Sequence, residues 1–490
     1  MLPSIPDIRD YDISPENGFL PSQPPLEILP DPYYAKWESI VANLQGLLLT
    51  KRLRGVVDRL PTLSTDRLCT EEEWRRAHQV LAFLVHGYIW GGIRPADRVP
   101  PCISIPFLET CEHLELPPVA TYAAVVLWNF KPLFLDEPFD SLENLATLNT
   151  FTGSLDESWF FLVSAAIEAR GAPIIPEMLT AIAAARRGDS ATVTANLHSF
   201  AERLDELGAL LQQMYDNCDP RVFYHRIRPF LAGSKNMADA GLPNGVIFDD
   251  GTGNANYVQY SGGSNAQSSL IQFFDIALGI EHRPTGEKRT EGSESDGSSG
   301  NRPSSHNFIQ EMRKYMPGPH RRFLERVSDV ANIREYVESH KSDRALCIAY
   351  DACLAMLRSF RDKHIQIVSR YIIIQSRESR SHSRSISPKV TRTVNIASAA
   401  HSAQDGRSTN RKLHGTGGTA LIPFLKQARD ETGEPAIDAW ARRLLSNGPA
   451  DNSAFATLNK MGEHADGAIE IVGLAGTWAM DDSEGGICHW

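Results

Sequence analysis

SDRALCIAYDACLAMLRSFRDKHIQIVSRYIII, residues 342–374, carries the strongest helical pattern in the chain. Leu346, Ala349, Cys353, Leu357, Phe360, His364, Ile367 and Tyr371 recur every three or four residues, which places them on one apolar stripe of an α-helix. So long a stripe needs apolar partners, and other segments supply them. SATVTANLHSFAERLDELGALLQQMYDN (190–217) repeats Leu197, Phe200, Leu204, Leu207, Leu211 and Met214 at the same interval. DESWFFLVSAAIEARG (156–171) puts Phe160, Ser164 and Ile167 on one face, so a single hydroxyl sits within an apolar stripe. QSSLIQFFDIALGI (267–280) is again helical, after a Gly-rich polar run from Gly241 to Asn265 that reads as loop. The fold class expected is predominantly α.

Outward from this helical body, residues 1–35 are rich in Pro, Asp and Ser, as in LPSQPPLEILPDPYY, and read as an extended arm. Residues 36–150 alternate helical patterns with proline breaks and form a small, mainly helical domain. Residues 151–430 form a large all-α domain, and 431–490 a C-terminal extension with little periodicity. Two polar segments interrupt the large domain, 282–306 and the Ser/Arg-rich 376–414. Neither has the apolar residues to offset its ordering entropy, so both are expected to be disordered. No repeat of 20–50 residues is visible, which argues against a solenoid or propeller.

The chain has 490 residues, 42% hydrophobic and 22% charged, the balance of an ordinary globular protein. Its net charge of −11 argues against nucleic acid as a partner. MLPSIPDIRDYDIS lacks the basic and apolar regions of a secretory signal, and no window approaches the roughly 18 apolar residues of a membrane span. A cytoplasmic monomer acting on small molecules is the expectation. The seven cysteines are scattered without a C-x-x-C pair and read as reduced thiols; Cys347 and Cys353 read as core packing.

Phosphate-loop, zinc-protease, nucleophile-elbow and dinucleotide signatures are all missing. GTGGT at 415–419 lacks the lysine of a phosphate loop and reads as a hinge or lid. The chemistry must therefore come from isolated residues. His364 points inward, where a histidine is more often a neutral core residue than a ligand. The functional alternative is an axial metal ligand whose second ring nitrogen is held by a hydrogen bond. Arg361, one turn earlier, either reaches solvent or pairs with an acid such as Asp275. In VFYHRIRPFLAGSKNM (222–237), Arg226 or Arg228 either forms a surface ion pair or offers its planar guanidinium to a carboxylate.

Several segments, in the same order along the chain, resemble the indoleamine 2,3-dioxygenase family, and its fungal-type members in particular. They include ENGFLP, ILPDPYYAKWE, HGYIWGG, LELPPVATYAAVVLWNF, SWFFLVSAAIE, RIRPFLAGSK, GGSNAQSSLIQFFDIALGI, FIQEMRKYMPGPHRRFLERV, AYDACLAMLRSFRDKHIQIVSRYI and GTGGTALIPFLK, spanning about residues 10–430. The resemblance implies an enzyme with haem b that uses O2 to cleave the indole C2–C3 bond of L-tryptophan, giving N-formylkynurenine, with an electron donor to reduce the iron. By position, it implies His364 as the iron ligand, Arg361 near a haem propionate with Asp275 as its partner, and Ser264 and Asn265 along the haem edge. Ser164 matches the distal hydroxyl; Tyr122, Val125, Val126, Phe160 and Phe161 match the indole pocket. Phe223 and Arg228 match substrate contacts, Arg228 on the carboxylate, and Thr416 the mobile loop over the ammonium group. Val125, the bulky Asn265, the long 282–306 insert and the C-terminal extension depart from the family pattern. The competing expectation is a haem-binding sensor of the same fold with little turnover.

Overall fold

The computed structural model describes residues 3–253, 255–284, 308–377 and 421–446, together with the backbone of 469–473 and 476–480. The expectations for Thr416 and the GTGGT run, and for most of the two polar inserts, lie outside the described residues.

The chain is predominantly α-helical, as its periodicity requires. In the N-terminal region, α1 (Ala35–Ala42), α2 (Leu44–Leu49) and α3 (Leu53–Val57) surround α4 (Glu71–Trp90), with α5 (Pro101–His113) beside it. Helix α4 opens on Thr70, whose hydroxyl accepts from the Glu73 amide, and its first turn is Glu71–Glu72–Glu73. Both features favour a helix N-terminus, one by satisfying an orphan N–H and the other by opposing the macrodipole. From Arg76 to Trp90 nearly every residue is buried, as expected of a helix running through a core.

The larger region contains α6 (Leu155–Gly171), α7 (Ile174–Arg187), α8 (Ser190–Gln212), α9 (Met214–Asn217), α10 (Pro220–Val222), α11 (Arg228–Leu231) and α12 (Ser269–Leu278). After the first insert come α13 (Phe308–Arg313), α14 (Gly318–Ser328), α15 (Ile333–Ser339) and α16 (Arg344–Val368), then α17 (Leu421–Thr432) and α18 (Ala439–Ser446). The strands are short: Arg98–Val99 pairs in parallel with Ile247–Phe248, Phe130–Pro132 antiparallel with Leu145–Thr147, and Ile469–Gly473 antiparallel with Gly476–Met480. The pair at 247–248 lies inside the run that reads as loop from sequence. Two residues are too few to leave a period-2 signal.

The two longest helices, α8 and α16, run parallel. Ser190 donates to the Asp343 carboxylate at their N-termini, Cys353 Sγ donates to Leu197 O at 3.0 Å, and Tyr371 Oη donates to Met214 O at 3.0 Å. Asp343 also caps α16 by accepting from the Leu346 amide at 3.1 Å. Every residue of the α8 stripe is buried, and so is the α16 stripe apart from His364. The exception falls where the two helices part around a cavity.

Buried apolar residues from Ile13 to Leu445 form one contiguous cluster. The N-terminal arm belongs to it rather than merely crossing a surface, because Phe19 packs its ring edge-on to His320 and Phe323 of α14. The run Leu155–Arg187 has the length and hydropathy of a membrane span, yet most of it is buried inside the protein. Cys347 and Cys353 are buried and unpaired, as expected of packing residues.

Candidate functional site

The cavity between α6, α8, α12, α16 and α17 has two connected chambers, with empty volumes of about 1220 and 920 Å³. Tyr122, Ser164, Asn265 and His364 line both, so they are one space divided rather than two sites. Its walls are chiefly apolar with a few polar groups, the composition of a small-molecule site.

Three π-helical turns build much of the first chamber. They span Ala123–Leu127, Phe223–Ile227 and Ser369–Ile374, and they place Val125, Val126, Phe223, Tyr371 and Ile372 in its wall. Such wide turns cost hydrogen-bond geometry and occur mostly at functional sites. Sequence spacing gives no sign of them, because a single wide turn is too short to show a period of its own. A buried histidine ties together the segments that flank two of these turns. His86 of α4 accepts from the Ala120 amide at Nε2 (2.8 Å), and its Nδ1 faces Phe230 O at 2.7 Å. Burial lowers its pKa to about 4, so it stays neutral with Nδ1 as the donor.

The structure brings together most of the residues singled out from sequence. Tyr122, Val125, Val126, Phe160, Ser164, Phe223, Arg228, Ser264, Asn265 and His364 line the first chamber, and Asp275 and Arg361 line the second. Phe161 does not reach either. It is buried behind Phe160, with ring centroids 5.7 Å apart, because adjacent helical residues diverge by about 100°. Gly263, Phe308, Ile372, Leu421, Phe424 and Leu425 also line the cavity and escaped the sequence reading. Phe308 packs edge-on to Phe424 at 4.8 Å across the two inserts, a pairing that no local pattern announces.

His364 is only partly buried, and the surface it shows faces the cavity. Desolvation, with Arg361 adding to it, lowers its pKa to about 4, so the ring is a neutral imidazole at physiological pH. Among the described residues neither of its nitrogens has a hydrogen-bond partner, so the expected bond to the second nitrogen is not present. The ring is not a satisfied core histidine. Nor do the described residues contain a group of three or more His, Cys, Asp or Glu that could hold a metal ion.

Arg361 does not reach solvent. Its Nη2 donates to both Asp275 carboxylate oxygens at 2.7 Å, and its Nη1 donates to Thr432 Oγ1 and to Ala428 O. Burial would raise the Asp275 pKa, but Arg361 and His282 together outweigh it and hold the carboxyl below its usual value. His282 is the residue the sequence reading misplaced. Expected as the start of a disordered insert, its side chain is 6% exposed and sits between Asp275 Oδ2 (3.0 Å) and Glu431 Oε2 (2.7 Å). Ser376, expected to open the second disordered insert, is likewise buried. Polar composition alone cannot reveal that a histidine will find two carboxylates from distant helices.

Two predictions concern this cluster. Asp275→Ala leaves the Arg361 guanidinium buried opposite no carboxylate on α12, a loss expected to cost about 3 kcal/mol of unfolding free energy in a urea melt; a cost under about 0.5 kcal/mol, the scale of an exposed pair, refutes the pairing. Desolvation lowers the His282 pKa, but Asp275 and Glu431 outweigh it and raise it above 6.5. Its contribution is thus complete below pH 6.5 and lost as pH rises through the raised value, while those of Asp275 and Glu431 are lost on acidification. The Tm difference between wild type and His282→Gln is therefore expected to shrink above pH 6.5. A difference that stays constant to pH 9 contradicts the charged His282.

Of the two arginines left open by sequence, Arg226 is exposed and Arg228 lines the first chamber. Burial pulls the Arg228 pKa down, with Tyr224 opposing, and the guanidinium lies 5.5 Å from the Tyr224 ring centroid. Ser164 Oγ donates back to Phe160 O at 3.3 Å, the usual bond of a helical serine. A family model described as indoleamine 2,3-dioxygenase matches residues 7–435. The chain belongs to the indoleamine 2,3-dioxygenase family. It is 44% identical to an indoleamine 2,3-dioxygenase of Saccharomyces cerevisiae over 87% of this chain and 93% of that protein. It is 41% identical to one of Aspergillus nanangensis over 87% and 96%. It is 37% identical to a 6-hydroxytryptophan 2,3-dioxygenase of Fusarium equiseti, also over 87% and 96%. As a member of this family it is a dioxygenase, hence an oxidoreductase.

Proposed function

We propose that the chain is a haem-dependent dioxygenase that cleaves the C2–C3 bond of the L-tryptophan indole with both atoms of O2. The product is N-formylkynurenine, as in the first step of tryptophan breakdown to kynurenine and of NAD biosynthesis. The observation that carries this reading is His364, a neutral imidazole without a hydrogen-bond partner among the described residues, lining a cavity that also holds Ser164 and Arg228. Haem b fits this donor set: one protein nitrogen for the iron, an apolar enclosure, and the Arg361 cation in the second chamber, where a propionate can be met. Bound there, ferrous haem supplies the O2 chemistry that amino-acid side chains lack.

The chain's own residues orient the substrate and keep water out. Tyr122, Val125, Val126, Phe160 and Phe223 offer the apolar and aromatic surface that an indole ring buries against. Arg228 offers the planar donor pair that a carboxylate accepts, and the reading gives Thr416 to the substrate ammonium group. Among the described residues that line the first chamber there is no carboxyl group, and Ser164 adds a hydroxyl to its α6 side. The reading includes an electron donor that keeps the iron ferrous, and a monomeric, cytoplasmic protein. Its test is the absorption spectrum of the ferric and reduced protein, followed by product absorbance with L-tryptophan and with 6-hydroxytryptophan. A Soret band and O2-dependent N-formylkynurenine are expected; a colourless protein that takes up no haemin overturns the reading.

A further inference from the structure

One buried acid behind the cavity wall has no part in that chemistry. Glu168 lies on α6 one turn beyond Ser164 and is 1% exposed. Its Oε1 accepts from Tyr122 Oη at 3.0 Å and from Ser268 Oγ at 2.6 Å, while Oε2 is buried with no hydrogen-bond partner among the described residues. The two donors come from different elements. Tyr122 leads into the π-helical turn with Val125 and Val126, and Ser268 caps α12 by accepting from the Ile271 amide. A single carboxyl group thus joins the three segments that carry Ser164, the Tyr122 wall and the α12 helix of Asp275.

We infer that Glu168 is a positioning residue: it holds the Tyr122 wall and the N-terminus of α12 in place around the substrate chamber, and its burial with one oxygen unpaired keeps it a neutral acid. This rests on the reading of the chamber as a tryptophan site. A carboxylate here would have one oxygen wholly without a donor, in a wall of apolar residues, whereas the acid leaves only a hydroxyl unpaired. The groups that face Glu168 are Tyr122 from its turn and Ser268 from α12; among the described residues no charged group acts on it. Burial accordingly raises its pKa to about 7, against the weaker opposing effect of the two hydrogen bonds.

The consequence is a link between substrate binding and one proton. Filling the cavity removes water from Tyr122 and Ser268, which line it and bind the carboxyl, and makes the ionised form costlier still, so tryptophan is expected to bind more tightly to the protonated form. As pH rises from 6 to 8, KM for L-tryptophan is expected to climb in wild type, by at most about tenfold per unit because one proton is coupled. Glu168→Gln keeps an acceptor for both donors and cannot ionise, so its KM is expected to stay level over that range. Glu168→Leu frees both donors and is expected to raise KM about tenfold at pH 6 with a smaller change in kcat.

Stability gives a second readout that does not depend on turnover. A carboxyl raised in the folded state loses stability as pH climbs from about 4.5 to about 7. Wild type and Glu168→Gln are therefore expected to melt together near pH 4.5, and the variant later at pH 8. Parallel pH profiles of KM in the two proteins, or equal melting at pH 8, overturn the proposal. Wild type that binds neither haem nor tryptophan overturns the functional reading instead, and the melting comparison still decides the role of Glu168.

Discussion

His364→Ala is expected to purify folded and colourless. In most cores, trimming a buried aromatic ring leaves a new cavity and costs several kcal/mol. Here the ring already faces a cavity of about 1220 Å³ and has no hydrogen bond to lose among the described residues, so the cost to the fold is small. What disappears is the only histidine among the described residues that lines either chamber. The Soret absorbance per protein should fall to a few per cent of wild type, or reappear with altered position as another ligand replaces imidazole. Added free imidazole, small enough for the space vacated, should restore part of it. Normal haem content in the variant, with an unshifted spectrum, rejects His364 as the iron ligand.

Arg228→Ala should keep the colour and lose the substrate. The guanidinium is enclosed in the first chamber rather than at the surface, so a carboxylate meeting it forms a charge-assisted pair away from competing water. Such a bond is worth about 1.5–3 kcal/mol, which corresponds to a fall of roughly 10- to 150-fold in kcat/KM for L-tryptophan. Arg228→Lys keeps the charge without the planar fork and should fall between the two. Unchanged kcat/KM in Arg228→Ala removes the residue from substrate binding. Because the first variant loses haem and the second does not, the pair separates iron ligation from substrate orientation.

Local pattern was enough for the long helices. The stripes of α8 and α16 follow from side-chain spacing, and burial of Leu197, Leu204, Leu346 and Leu357 bears them out. Ser164 was legible for the same reason, as a hydroxyl on an otherwise apolar face. Three features were not legible. Phe161 could be separated from Phe160 only by knowing which side of α6 borders the cavity. His282 follows a helix and opens a polar run, so composition makes it solvent-bound, although Asp275 and Glu431, 156 residues apart in sequence, close over it. Glu168 is the fourth residue after Ser164 and reads as an ordinary helical acid until Tyr122 and Ser268 reach it from elsewhere.

By itself the sequence determined that the protein is helical, where its main helices lie, and that His364 points inward, because these depend on a 3.6-residue period that each segment carries alone. Most of the residues that its family resemblance marked meet in the cavity. Only the tertiary structure decided between alternatives that spacing leaves equal: His364 unpartnered rather than packed, Arg361 paired with Asp275 rather than in solvent, Arg228 rather than Arg226 at the chamber. The physical reason is the same in each case. Burial and charge state depend on which groups other segments bring within about 4 Å, and that is a property of the packed chain rather than of any stretch of it.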